Sequence, residues 1–271
     1  MPELPEVEVV RKQLKNLVLN KKIANITSEY TKIFNEDFNL VKESIVGSKI
    51  IDIERYGKYL VFILSNEFNL ISHLRMEGKY FVKEQNEPID KHEHVIFHFD
   101  NGETLRYHDT RKFGRMDLRT KDDYLKVNPL FKLGKEPKDL TGEELYEMLN
   151  KKTTFIKVAL LDQEIIAGLG NIYVDETLFM SKIHPERRSN TISIDEANLI
   201  VHSAQKVLAK ALELGGTTIR SYTSSLGVTG RFQNELQVHT KEGELCTLCG
   251  TVITKLKVGG RGTYVCSNCQ K

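Results

Sequence analysis

The amino-acid sequence predicts an α+β protein, with an N-terminal β-sandwich and flanking helices, then a helical region and a small metal-holding end. Three observations carry this. From Lys21 to about Leu118 the pattern is period two, in short β-branched or aromatic runs. Beyond about residue 140 the apolar period becomes helical, and all four cysteines fall between Cys246 and Cys269. With 271 residues and 40% hydrophobic content, the chain is long enough for two compact domains, each with its own core.

At the start, Val7, Val10, Leu14 and Leu17 recur at helical spacing, with Pro5 in the first turn and acids near the positive end of the dipole. This predicts an amphipathic helix of about a dozen residues, a rigid mount for Pro2 and Glu3. Removal of Met1 would turn the Pro2 nitrogen into a free secondary amine. With a pKa near 7.7–8.0, roughly a tenth to a sixth of such an amine is unprotonated at pH 7. It is a ready nucleophile for an aldehyde-like carbon, with Glu3 placed to shuttle protons and Glu6 one turn further on. Taken alone, the same residues also describe a solvated acidic helix start.

Strands are predicted at Ile50–Arg55, Tyr59–Leu64, Phe68–His73, His94–Phe99 and Thr104–His108, separated by turn signals such as Asp100-Asn101-Gly102. Many short strands at close spacing imply a sandwich or barrel-like core. Three breaks carry residues unusual for turns: Tyr56-Gly57-Lys58, His73 to Gly78 around Met76, and His108 to Gly114 with Arg111 and Phe113. Met76 and Phe113, each alone, could equally be core residues, and Lys58 an ordinary solvated turn lysine.

Val127 to Lys138 reads as a linker, with Pro, Gly and charge but no sustained period. Capping boxes at Thr141 to Glu144 and Ser193 to Glu196 open helices. The second is predicted from about Asp195 to Leu214, stopped by Gly215-Gly216. Between them Gly168-Leu169-Gly170-Asn171 is a glycine turn feeding a helix. It is either a packing corner or a place where backbone N–H groups, with Lys157 nearby, meet an anion.

Cys246-x2-Cys249 and Cys266-x2-Cys269, with sixteen residues between the pairs, match a four-thiolate zinc site, closed and therefore structural. Between the pairs, Val252–Val258 and Thr263–Val265 are expected as strands joined by Gly259-Gly260-Arg261-Gly262, which places Arg261 at a hairpin tip suited to a phosphate. Net charge is only +2, but from Val201 onward nine Lys/Arg stand against four Glu. A polyanion is thus expected at the C-terminal part plus selected basic loops. No apolar run approaches the roughly 18 residues of a membrane span, and no basic region precedes an apolar one at the start, so a soluble, cytoplasmic protein is expected.

Six stretches, in order, resemble the formamidopyrimidine-DNA glycosylases, bacterial repair enzymes for oxidised purines. They are Pro2-Glu3-Leu4-Pro5-Glu6, Gly57-Lys58-Tyr59, Leu74-Arg75-Met76, Arg111-Lys112-Phe113-Gly114, Gly170-Asn171-Ile172-Tyr173, and the cysteine quartet with Gly260-Arg261-Gly262. The resemblance implies a monomeric two-domain clamp on duplex DNA. Its parts would be a catalytic sandwich over 1–128, a linker over 129–140, a helix–two-turn–helix module with a lesion-recognition loop over 141–235, and a zinc finger over 236–271. It implies that Pro2 forms a Schiff base and Glu3 moves protons. Lys58, Lys157, Asn171 and Arg261 would hold phosphates, with Lys58 and Arg261 at the reacting centre. Met76, Arg111 and Phe113 would fill the gap left by an extruded nucleotide, Arg111 facing the orphaned cytosine, and His92 would also contact DNA. Glu6, Thr217, Thr218, Ile219, Arg220 and Tyr222 are expected at the damaged base, the last five within a mobile lid. The implied activity is bifunctional: excision of 8-oxoguanine or formamidopyrimidines, then β,δ-elimination at the abasic site. Thr110, where Pro is common, and His239, where Tyr is common, depart from the pattern. Glycosylases for oxidised pyrimidines also begin with Pro-Glu, but Leu4 and the Met76/Arg111/Phe113 set favour the purine branch. A non-catalytic nucleic-acid-binding protein built on a zinc ribbon would explain Arg261 and the cysteines, but neither Pro2-Glu3 nor the apolar loop residues.

Overall fold

The computed structural model describes residues 1–217 and 230–271. The chain divides into two compact units, Met1–Phe131 with Thr217 and Gly230, and Lys132–Gly216 with Arg231–Lys271.

The first unit is the expected sandwich. It comprises α1 (Leu4–Val18), β1 (Ile23–Ser28), α2 (Phe38–Ile45), β2 (Ile50–Tyr56), β3 (Tyr59–Leu64), β4 (Phe68–His73), β5 (Lys79–Glu84), β6 (Glu93–Phe99), β7 (Glu103–His108) and β8 (Arg115–Thr120). Two four-stranded antiparallel sheets, ordered β1-β6-β7-β5 and β2-β3-β4-β8, enclose the core. Val7, Val10, Leu14 and Val18 of α1 belong to one buried apolar cluster with Ile53, Leu60, Tyr80 and Tyr107 of that core. The five predicted strands are present within a residue or two. Sequence pattern did not single out β1, β5 or β8, nor α2, whose Asp37 cap accepts the Asn39 and Leu40 N–H groups. In β1, β5 and β8 three to five of six residues are partly or fully exposed, which blurs a period of two, and α2 spans only eight residues, about two helical turns.

Register fixes what the sandwich presents at one end. Tyr59 pairs with His73 and His73 with Arg115, while Lys79 and Glu93 both pair with His108. The β2–β3 turn with Lys58, the β4–β5 loop with Met76, His92 before β6 and the β7–β8 loop with Arg111 and Phe113 therefore share one rim.

The second unit contains α3 (Gly142–Asn150), α4 (Ile156–Leu161), α5 (Asn171–Met180), α6 (Ile194–Glu213) and a hairpin of β9 (Thr254–Val258) and β10 (Arg261–Val265). Both predicted capping boxes open their helices, α3 at Thr141 and α6 at Ser193. Residues 162–170 connect α4 to α5, and Gly168 takes φ +96° there, a conformation that favours glycine. The hairpin turn is only Gly259-Gly260, so Arg261 is the first residue of β10, paired with Val258, and not part of a four-residue tip; the first strand begins at Thr254, not Val252. Both glycines have positive φ, which permits this tighter turn. Among the described residues no helix is long and apolar enough to cross a membrane.

Candidate active site

The N-terminus of α1 is built by a capping box. The Glu3 N–H donates to Glu6 Oε2 at 2.9 Å, and Glu3, Leu4, Pro5 and Glu6 are all buried. Pro2 is buried as well, whereas Met1 is 47% exposed. The start of the chain is thus a packed, capped helix terminus, not the solvated acidic end that composition alone allowed. The other oxygen of Glu6 accepts from Thr217, at 2.7 Å from its N–H and 3.0 Å from its hydroxyl. Glu6 therefore ties α1 to the first residue of the segment expected to recognise the lesion. Thr218, Ile219, Arg220 and Tyr222 of that expectation lie outside the described residues.

Going from Lys15 toward Pro2, α1 runs alongside β2 toward the rim. Lys15 pairs with Asp52 at 2.6 Å, Arg11 donates to the Ile53 carbonyl at 3.3 Å, and Glu8 accepts from Arg55 at 3.0 Å. Arg55 also donates to the Gly57 carbonyl at 2.9 Å, so one guanidinium joins α1 to the turn that carries Lys58. Burial pushes the Glu8 carboxyl up, but hydrogen bonds and charge from Arg11 and Arg55 prevail and hold it below the ordinary carboxylate range. Neither Glu8 nor Arg55 was singled out as a site residue from the sequence. Lys58 is 5% exposed, not a solvated turn lysine.

Elsewhere on the rim, Phe113 is 47% exposed and Met76 is half buried, so neither is a core residue. Arg75 and Lys112 take φ +52° and +55°, a strained conformation for non-glycine residues that persists where surroundings over-determine it. The exposed Arg111 lies with its guanidinium carbon 4.8 Å from the Phe113 ring centre, so the basic and the apolar group form one projecting element. His92 is half buried, its ring 5.6 Å from that of His108. The connection before it is gathered by Arg106, 1% exposed, which donates to the Glu84, Glu87 and Pro88 carbonyls and to Glu93.

In the second unit, Lys157 is fully buried; its ammonium donates to Asp175 Oδ1 at 2.6 Å and to the Gly262 carbonyl at 3.1 Å. Asn171 donates to the same carbonyl at 3.0 Å. Two of the expected phosphate ligands thus grip the zinc hairpin beside the exposed Arg261, and the charge of Lys157 is balanced within the protein. Asp175 also accepts from His239 at 2.8 Å. Its neighbour Glu176 accepts the N–H groups of Gln237, Val238 and His239 at 2.9–3.0 Å. Burial pushes the Glu176 carboxyl above its ordinary range although these donors pull the other way. Both acids went unnoticed in the sequence. Adjacent acids in an otherwise apolar helix were the available signal, since buried charges need partners.

The four cysteine sulfurs lie within 4.8 Å of one another, Cys246–Cys269 at 3.9 Å and Cys249–Cys266 at 3.5 Å. Tetrahedral zinc with sulfurs at 2.3 Å requires sulfur separations of about 3.8 Å, so the quartet fits one zinc ion. Thiolates hold zinc as a folding element, and here they close the end that carries β9 and β10.

Three family models match the chain in succession: the formamidopyrimidine-DNA glycosylase N-terminal domain over residues 1–116, the formamidopyrimidine-DNA glycosylase H2TH domain over 133–223, and the zinc finger found in FPG and IleRS over 243–271. The last of these, with the sulfur geometry, assigns one structural zinc ion to the cysteines. Similar curated proteins are the formamidopyrimidine-DNA glycosylases of Mycoplasma mobile, 46% identical over 272 residues, and Ligilactobacillus salivarius, 49% identical over 273. Each alignment covers 100% of this chain and 99% of the relative. Among solved structures, a Lactococcus lactis FPG mutant in complex with Fapy-dG containing DNA superposes with a TM-score of 0.94 at 44% identity, covering 100% of both chains. The Lactococcus lactis Fpg with abasic site containing DNA gives 0.93 at 43% identity, again over 100% of both. The chain belongs to the formamidopyrimidine-DNA glycosylase family.

Proposed function

We propose that this protein is a bifunctional DNA glycosylase and abasic-site lyase that removes oxidised purines such as 8-oxoguanine and formamidopyrimidines from duplex DNA. The observation that supports it most is the convergence on one rim of a capped helix toward its Pro2-Glu3 end, the buried Lys58, and the projecting Met76, Arg111 and Phe113. A base in a duplex is reached only by extrusion, and apolar groups with an arginine suit the vacancy. The family's complexes with Fapy-dG and abasic DNA support the same substrate class.

In this mechanism Met1 is removed and the Pro2 nitrogen donates its lone pair to C1′ of the everted nucleotide. The glycosidic bond breaks, and its electron pair leaves with the base, which takes up the proton that the Pro2 nitrogen sheds as it bonds to C1′. Glu3 delivers a proton to the sugar ring oxygen as the ring opens. Because Pro2 is a secondary amine, the resulting imine is necessarily cationic, an electron sink that needs no further protonation. Loss of a C2′ proton then expels the 3′ phosphate, a second elimination expels the 5′ phosphate, and water releases Pro2. Arg261 and Lys58 hold the flanking phosphates, Lys157 and Asn171 support Arg261 through Gly262, and His92 meets the backbone beside the wedge. Glu6 and Thr217 hold the base of the lesion-recognition segment. The protein acts as a monomer in the bacterial cytoplasm, where its DNA substrate is.

Borohydride trapping tests the chemistry. Wild-type protein, shown by mass to lack Met1, should form a covalent adduct with lesion duplex that Pro2→Gly abolishes; an undiminished adduct in that variant would remove Pro2 from the mechanism. Glu3→Gln should lose base excision while keeping part of its lyase activity on abasic DNA. Equal loss of both would show that proton delivery by Glu3 to the ring oxygen is not what drives base release.

A further inference from the structure

The two projecting loops of the rim share a mount that none of the wedge residues supplies. Asp109 is fully buried, and its carboxylate accepts the Arg111 N–H at 2.9 Å, the Phe113 N–H at 3.0 Å and the Gly114 N–H at 2.8 Å. The Tyr107 hydroxyl donates to the same carboxylate at 3.4 Å. Asp109 is itself held from behind, by His94 Nε2 on its carbonyl at 2.8 Å and by its own N–H on the His92 carbonyl at 2.9 Å. The exposed residues 110–113 therefore take their backbone shape from one internal anion.

Tyr107 links this loop to the neighbouring one. A Cβ on Gly114 would stand 1.9 Å from the Tyr107 hydroxyl oxygen, and a Cβ on Gly78, which ends the Met76 loop, 2.2 Å from the same atom. Both glycines thus lie against a single phenol, with no room for a side chain. At the surface, the Thr110 hydroxyl donates to the Glu77 carboxylate, a second tie between the loops. Thr110, directly before Arg111, thereby reaches the residue next to Met76.

We propose that Asp109 is the positioning residue of the wedge: its carboxylate sets the backbone that presents Arg111 and Phe113, and Tyr107 beneath it holds that loop in register with the loop carrying Met76. This rests on the reading of Met76, Arg111 and Phe113 as the groups that fill the extrusion gap. An amide in place of the carboxylate keeps one acceptor oxygen and turns two donors toward backbone N–H groups, so the loop loses its template while the sandwich core keeps its packing.

The test uses zinc-loaded protein and a double-mutant cycle. Asp109→Asn should lower kcat/KM on an 8-oxoguanine:cytosine duplex by about 10- to 100-fold, the scale of a misplacement near 1 Å. On the same lesion in a preformed bubble, where extrusion is already done, the loss should be below about threefold. In a Phe113→Ala background, Asp109→Asn should add less than about threefold, because both changes disable the same element. A merely structural defect would act equally on duplex and bubble and would multiply with Phe113→Ala; either result overturns the proposal. If Arg111→Ala and Phe113→Ala leave duplex cleavage unchanged, the wedge reading itself fails, and the proposal with it. If they impair cleavage and Asp109→Asn does not, only the positioning role fails. Should Asp109→Asn not fold, hydrogen exchange on the wild type decides. The Phe113 and Gly114 amides should exchange at least about 100-fold slower than free amides despite the exposed loop, and unprotected amides there would overturn the claim.

Discussion

Asp175→Asn isolates the cost of stranding a buried charge. Asp175 and Lys157 have side chains with no solvent exposure, and their contact is 2.6 Å. The asparagine is nearly isosteric, and its amide oxygen can still accept from His239, so the chief change is that the anion facing the ammonium disappears. Removing one member of such a buried pair costs about 3–5 kcal/mol, because the remaining charge stays in a low-dielectric site. That corresponds to roughly two to four orders of magnitude in the unfolding equilibrium of the second unit. The assay is urea unfolding of the zinc-loaded protein at fixed free zinc, followed by circular dichroism, with zinc release to a coloured chelator as a local probe of the hairpin. Adding Lys157→Met to the variant removes the stranded ammonium, and Gly262 keeps the hydrogen bond from Asn171. The double variant should therefore recover at least about half of the lost stability. A single variant within about 1 kcal/mol of wild type, or a double variant no more stable than the single, refutes the claim that a buried ion pair holds the hairpin to α4 and α5.

Two further outcomes follow from the same reasoning. The His73 imidazole is buried, with Nδ1 accepting the Arg75 N–H at 2.9 Å; burial, then the charges of Arg75 and Lys58, push its pKa down to about 3. An unfolded histidine titrates near 6.5, so below that pH the unfolded chain binds a proton that the native one refuses. Stability from this group is complete above about pH 6.5 and is lost as pH falls toward 3, by up to ~1.4 kcal/mol per pH unit. Urea midpoints at pH 7, 6 and 5 should fall more steeply for wild type than for His73→Gln, and parallel slopes would show an ordinary histidine. Stripping zinc with a chelator should release β9–β10 and abolish duplex binding in fluorescence anisotropy, while near-ultraviolet dichroism of the sandwich persists. Undiminished binding by stripped protein would mean that Arg261 plays no part in holding DNA.

Much of this protein was legible in one dimension. The zinc site is a local pattern, two CxxC pairs whose spacing alone defines a closed tetrahedron, and the capped helices α3 and α6 are set by residues three apart. The Pro2-Glu3 pair and the odd composition of three loops were visible too, because chemistry-bearing residues in turns are conspicuous. Tertiary structure alone decided what those residues rest on. Antiparallel register brought Lys58, Met76, His92 and Arg111, far apart in sequence, to one rim. Arg55 and Glu8, 47 residues apart, met to join helix and turn. Lys157, expected to add charge beside an anion, became the partner of Asp175, and Asp109 looked like a turn residue and became the template of a loop. The reason is physical: local signals report backbone preference and periodicity, whereas the burial of a charge and the identity of its partner depend on which distant segments pack around it.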